Sequence, residues 1–293
     1  MNKTRLFAAI SAALLTGSVL AQTVVTVNDT KIDSSELDAR AKFVQQQSQG
    51  KVQDTPELRQ YIANEVVLET VVTQEAKRLQ LDKSSEYKTV EADALKQARE
   101  KGLDKQPDFK GNWARFQNQL LMDVYAQDVA KKNPVSDADV QKRYDDIKSR
   151  YHNTDEVQLG EIVTDKEDQA KAAIRELGAK KSFADVAKKY SIDPAVKAGQ
   201  PALNEYTSLV DLKDGRPKIF EAVQNLKKGE YTRNAVKGEG IFVVFYANDK
   251  RKITVPAFDQ IRDNVRDELQ QERVQAAVGK LMQQAKIVPA DGK

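Results

Sequence analysis

Residues 180–193 read KKSFADVAKKYSID, and the rest of the chain is read outward from them. Ser182 is a favourable N-cap, because its hydroxyl can accept a hydrogen bond from a backbone amide of the first helical turn. Phe183, Val186, Ala187 and Tyr190 follow at spacings of three and four, so one face of a short helix is apolar. Pro194 disfavours helical backbone at Asp193, which ends the helix there. Alone, the stretch predicts a short amphipathic helix packed on a neighbour.

The flanking segments supply the neighbour. Upstream, Val157–Val163 (VQLGEIV) reads as a strand, and Lys166–Leu177 sets Ala170, Ala173, Ile174 and Leu177 on one helical face. Downstream come a loop rich in turn residues, a helix over Lys218–Leu226 and a turn at Gly229-Glu230. Gly240–Tyr246 (GIFVVFY) closes the segment as a β-rich apolar run.

The order of these elements resembles the parvulin family of peptidyl-prolyl isomerases. The resemblance rests on Glu161-Ile162-Val163, Ala170-Lys171-Ala172, Ser182-Phe183-Ala184 and Ala187–Ser191. It continues through Asp193-Pro194, Phe220-Glu221-Ala222 and Leu226–Glu230. Each fragment is weak, but their order and spacing together are fairly specific. Parvulins usually carry a histidine in the first strand and another in the last; the matching positions here hold Glu161 and Phe242. The family's glycine-rich turn is altered to Gly199-Gln200-Pro201-Ala202-Leu203, and Arg216 stands where methionine is frequent. His152, the one histidine, precedes the first strand and is not assigned to the missing pair. The resemblance thus implies Asp193 and Glu161 as catalytic candidates, and Phe220, Phe242 and Leu203 as the proline pocket.

Isomerisation of an X-Pro bond needs no covalent step. The barrier of about 18–20 kcal/mol is the resonance lost as the amide twists, so a catalyst has only to favour the twisted amide over the planar one. Without the two histidines, Asp193 lacks a hydrogen-bonding network. Glu161 could replace them if burial raised its pKa; otherwise it is a partly exposed strand residue. Isomerase activity is expected to be weak or lost.

Composition narrows the class further. The chain has 293 residues, 40% hydrophobic and 31% charged, and no cysteine, so neither disulfides nor thiolate catalysis are available. One histidine and no thiol make a compact metal site improbable, and no cofactor is expected. The net charge is +3, with Lys3 and Arg5 in an N-terminal segment free of acids, so the remainder is nearly neutral. That balance argues against nucleic acid as a partner. The segment 1–21 reads as a signal peptide: Lys3 and Arg5, then apolar Leu6–Leu15, then Val19-Leu20-Ala21 before Gln22. Cleavage there would leave an exported, periplasmic protein that does not span the membrane.

Between signal and parvulin-like segment the chain is mainly helical. Thr23–Ile32 alternates about the turn pair Asn28-Asp29, and a helix follows with Ser34 as the expected cap. This opening resembles the SurA-like and PrsA-like export chaperones. Gln45–Gly50 (QQQSQG) is a polar break, and Asp54-Thr55-Pro56-Glu57 starts a helix that runs to about Leu79. A more polar helix spans Glu86–Lys101, and another spans Phe109–Lys132. In the latter, Trp113, Phe116 and Leu120 form a stripe that is either core or a client-binding groove. Ser136–Asp139 caps a helix carrying Val140, Tyr144, Ile147 and Tyr151, and Pro256 opens a last long helix with an apolar stripe from Ile261 to Ala285. No internal repeat of 20 to 50 residues is evident.

The expected fold class is α+β: a helical N-terminal chaperone-like domain completed by a C-terminal helix, with a parvulin-like β-α domain between them. The division is 1–21 signal peptide, 22–154 helical domain, 155–250 parvulin-like domain, and 251–288 a helix returning to the N-terminal domain. The function expected is that of an exported folding helper for unfolded or nascent envelope and secreted proteins. The alternative is a non-enzymatic envelope assembly adaptor that uses the parvulin-like domain as a binding module. Homodimer formation is left open.

Overall fold

A computed structural model describes residues 22–200 and 202–290. The expected signal peptide and Pro201 lie outside the described residues. The chain divides into two compact units, one of residues 22–136 with 266–290, the other of residues 137–265. Its class is mixed helix and strand, as expected.

The first unit opens with strands β1 (Thr23–Val27) and β2 (Thr30–Asp33), an antiparallel hairpin turned at Asn28 with positive φ of 54°. Helix α1 (Ser34–Gln47) follows directly. Asp33, not Ser34, is its N-cap residue, but the Asp33 carboxylate accepts from the Thr23 hydroxyl at 3.0 Å and makes no cap bond. Helix α2 (Pro56–Arg78) starts as the sequence predicts, with the Thr55 hydroxyl accepting from the Leu58 amide. Helices α3 (Ser85–Glu100) and α4 (Phe109–Lys132) complete this part. A short motif recurs across α3: Leu81–Lys88 reads LDKSSEYK, and Leu103–Lys110 reads LDKQPDFK. Each begins in a one-turn 3-10 helix after a residue of positive φ, Gln80 or Gly102. The repeat lies in the turns at the two ends of α3 and escapes a search for long periodicities.

The second unit starts with α5 (Asp137–Arg150) and then β3 (Asp155–Thr164). Helices α6 (Glu167–Gly178), α7 (Phe183–Tyr190) and the single turn α8 (Pro194–Lys197) follow. Ser182 caps α7 by accepting from the Asp185 amide at 3.1 Å while donating to its carboxylate at 2.6 Å. The region expected as a loop holds strand β4 (Leu203–Ser208) and helix α9 (Leu209–Gly215). Helix α10 (Pro217–Val223), the two-residue β5 (Val236–Lys237) and β6 (Phe242–Lys252) complete the unit. The four strands form one antiparallel sheet in the order β4-β3-β6-β5.

Both faces of this sheet are covered. Along β6, Phe242, Val244 and Tyr246 pack with Ile162 of β3 against α6 and α7. Val243, Phe245 and Ala247 alternate to the other face and pack with Val157 and Leu159 against α9 and α10. Helix α5 belongs to this compact unit, which begins at Asp137. Arg150 pairs with Asp211 and Asp214 at 2.8 and 2.7 Å, and the Tyr144 ring meets Phe258 edge-on at 5.3 Å.

Helix α11 (Phe258–Gln284) leads to strand β7 (Ile287–Pro289), which pairs with β1 and makes a three-stranded sheet, β2-β1-β7. Met282, Val278 and Leu281 of α11 pack in one core with Val25, Leu37, Ile62 and Val66. Val274 and Ala277 pack against a second core built on Tyr87, Leu121 and Val124. The three-stranded sheet and both cores of the first unit therefore use residues from both ends of the described chain.

Candidate functional site

Strand β3 carries Glu161 on the α9/α10 face, directly opposite Phe245 of β6. Beyond β3 the edge strand β4 places Asn204, whose side-chain amide donates to Glu161 Oε1 at 2.9 Å. Glu161 is half-buried, and its carboxyl is pushed above the usual range. Burial is the main cause, the positive charge of Arg216 and the Asn204 hydrogen bond oppose it, and the negative charge of Asp193 adds to it. Glu161, Asn204, Asp193 and Arg216 thus form one electrostatic group.

Asp193 is the N-cap of α8: its Oδ1 accepts from the Ala195 amide at 2.8 Å, and the residue is exposed. Ser191, buried just before it, accepts from the Asp193 amide and from the Val163 amide of β3. The backbone amide of Ile192 donates to the Val163 carbonyl at 2.7 Å, which holds the Asp193 segment against the edge of β3. Asn204 had no sequence signal beyond its place one residue after the altered glycine turn.

The three residues expected to line a proline pocket do not share one face. Phe220 of α10 packs on the α9/α10 side, around Phe245 and Leu212. Phe242 packs on the opposite side, with Ile162 and Val186. Leu203 also turns to that opposite side: its Cδ2 lies 3.1 Å from where a Cβ on Gly160 would stand, beside the Phe183 ring. The Phe183 ring stacks on Tyr246 at 4.6 Å. Alternation along the unbroken β3/β6 register from Leu159/Ala247 to Thr164/Phe242 sets Glu161 and Phe242 on opposite faces, and the register shift between β3 and β4 at Gln158/Gly160 sets Leu203 beside Gly160. Glu161 and Phe220 lie on the same side of the sheet, and Phe242 and Leu203 lie on the other.

In the first unit, the stripe on α4 divides. Leu120 is buried in the core with Tyr87 and Val124, so it is not available to a client. Phe116 packs partly on that core, and Trp113 stacks between Phe116 and Phe109 at centroid distances of 5.0 and 5.7 Å. Phe109, Trp113 and Phe116 are all partly exposed. On α1, Phe43 is 39% exposed with the Arg115 guanidinium 4.7 Å above its ring.

Residues 135–263 match the family model of the PPIC-type PPIASE domain. This segment is a parvulin-type domain. Over most of its length the chain is 29% identical to a probable parvulin-type peptidyl-prolyl cis-trans isomerase of Bordetella bronchiseptica, covering 94% of this chain and 96% of that protein. It is 26% identical to the foldase protein PrsA of Clostridium botulinum, covering 90% and 85% respectively. A solved structure described with the SurA-like chaperones of Campylobacter jejuni is 22% identical over 89% of this chain and 96% of that one, with a TM-score of 0.34. Within the parvulin-type domain, the sheet, α6, α7 and α10 occupy the places that the sequence fragments marked out, and β4 and α9 fill the interval between them.

Proposed function

We propose that this chain is an exported folding helper of the bacterial envelope, acting on unfolded client proteins, with a parvulin-type domain of low isomerase activity. The observation that supports the reading is the polar group on β3 within the segment that matches the parvulin-type domain: Glu161 with Asn204 and the capping carboxylate of Asp193, and no histidine among them. Phe220 offers the apolar surface for the proline ring. Asn204 keeps one side-chain N–H and Glu161 one oxygen for the substrate amide. These groups stabilise a twisted amide by hydrogen bonding alone, and a net contribution of about 1 kcal/mol for each such bond sets a modest acceleration.

The aromatic ladder Phe109-Trp113-Phe116, with Phe43, is the proposed client-contacting surface. Aromatic side chains give large contact area for little lost conformational freedom. No described helix is long and apolar enough to cross a membrane. Export itself rests on the charged, apolar, small-residue order of residues 1–21.

The reading is tested by two assays on one preparation. A protease-coupled X-Pro peptide assay is expected to show weak turnover that falls with Glu161→Ala. Aggregation of several unrelated unfolded proteins is expected to be suppressed by the parent chain and less so by Trp113→Ala. Binding to a single folded partner, with no effect on unfolded proteins, would overturn the reading in favour of an assembly adaptor.

A further inference from the structure

The parvulin-type unit holds a cleft of about 440 Å³ between the end of α10 and residues 230–236. That volume lies within the roughly 300–1,000 Å³ usual for ligand sites. Ala222 and Leu226 form one apolar wall and Val236 another, all three resting on the core around Phe245.

The opposite wall is fixed by the sheet. Thr232, buried, donates its amide to the Phe245 carbonyl at 2.9 Å, and its hydroxyl accepts from the Phe245 amide at 3.1 Å. Val236 pairs with Val243. Arg233, Asn234 and Ala235 therefore lie opposite the single residue Val244, and the segment bulges away from the strand. The bulge presents Arg233 and Asn234, both exposed, at the rim.

Arg233 is held in place. Its guanidinium lies 4.3 Å over the ring of the buried Tyr231 and donates to the Tyr231 hydroxyl. Among the described residues it has no carboxylate partner. At the other end of the cleft, Glu230 accepts the Lys227 amide at 2.8 Å through one oxygen. Tyr231 belongs to the core on the α6/α7 side, so the guanidinium stands across the edge segment from the apolar wall. An extended segment laid along that edge turns successive side chains to opposite sides, so an aliphatic residue on the wall sets the next residue toward Arg233, whose fork binds both oxygens of a carboxylate.

We infer that this cleft is a second peptide-binding site of the parvulin-type unit, which takes an extended segment with an aliphatic residue followed by an acidic one. The aliphatic side chain lies on Ala222, Leu226 and Val236, and the carboxylate pairs with Arg233. Glu230 accepts a main-chain N–H of the segment and disfavours a second acidic residue at its end. The lining of the cleft shares no residue with the Glu161 group.

Binding is read by fluorescence anisotropy of labelled hexapeptides on the full chain. Gly-Gly-Leu-Asp-Gly-Gly is expected to bind at least ten-fold more tightly than the same peptide with Asn for Asp or Gly for Leu. Arg233→Gln, at an exposed position, is expected to abolish the Asp-over-Asn preference, and Ala222→Trp to weaken all binding by filling the cleft. Glu161→Gln is expected to leave the affinity unchanged, so the result does not depend on isomerase turnover. Equal binding of the Asp and Asn peptides, or an Asp preference that survives Arg233→Gln in a chain whose melting is unaltered, overturns the inference.

Discussion

At position 160 a side chain has no room. A Cβ on Gly160 would stand 2.4 and 2.5 Å from two atoms of the Phe183 ring. That ring is held by Tyr246 on the next strand, so it cannot swing away. Gly160→Ala is expected to lower stability by about 1–3 kcal/mol, the usual range for overpacking, measured by thermal or denaturant melting; an unchanged melt would mean that Phe183 is free to move. Glu161, the next residue, faces the other way and gives a pH test. Its folded carboxyl titrates above the unfolded value of about 4.3, so between the two pKa values the folded state holds more protons. The stability from this group is fully present below the unfolded pKa and is lost as pH rises through the folded one. Glu161→Gln removes that loss. The stability of the Gln variant minus that of the parent is expected to rise from pH 4 to pH 8, by less than about 1 kcal/mol because the carboxyl is only half-buried. A flat difference would show that the carboxyl behaves as it does in open water. The sequence supplied the identity of Glu161 and Phe242 but not their facing. Facing follows from strand register, which sets Glu161 opposite Phe245 and Phe242 opposite Thr164, and that pairing has no signature in residue type. Restoring histidine at both positions would therefore put one imidazole in the site and the other in the core behind it, where Phe242 packs with Ile162.

Elements with strong local chemistry were legible. Ser182 caps α7, Thr55-Pro56 starts α2, and the alternation about Asn28 gives the β1/β2 hairpin. Elements defined by their neighbours were not. Strand β4 is LNEYTS, an edge strand with exposed Asn204 and Glu205, so it lacks the apolar run of a central strand. Helix α9 is only seven residues long, although Ser208 caps it through the Val210 and Asp211 amides. Strand β7 has three residues and exists because β1 offers it an edge. Asp193 belongs at this scale, since its observed bond is a cap. Asp193→Asn keeps an acceptor for the Ala195 amide, while Asp193→Ala removes it at a cost of about 1 kcal/mol. If the cap alone matters to the site, X-Pro turnover is retained in the Asn variant and falls in the Ala variant. Equal losses in both would mean that the charge acts directly, through its effect on Glu161.

Across the whole molecule, the N-terminal and C-terminal segments build one unit, and the parvulin-type unit is inserted between them. The apolar stripe of α11 told from sequence that this helix needs a partner, and Met282, Val278 and Leu281 find it among Val25, Leu37 and Val66. Strand β7 adds backbone pairing to β1, and the Ala290 amide donates to the Val24 carbonyl at 2.9 Å. Arg266 reaches the Val135 carbonyl at 3.0 Å, and Arg273 the Asn133 carbonyl at 3.0 Å, so the returning helix also fixes the end of α4. Without residues 266–290 the hairpin loses a strand and both cores of the first unit lie open to water. Residues 22–136 expressed alone are therefore expected to melt broadly or aggregate. Residues 137–265, whose sheet is covered on both faces, are expected to unfold cooperatively on their own. Met282→Ala in the full chain is expected to cost about 2–4 kcal/mol in the first unit and to leave the melting of the second unchanged, as followed by hydrogen exchange at Val25 and Val244. If residues 22–136 melt as sharply as the full chain, the contacts of α11 are dispensable and the inserted arrangement does not govern folding.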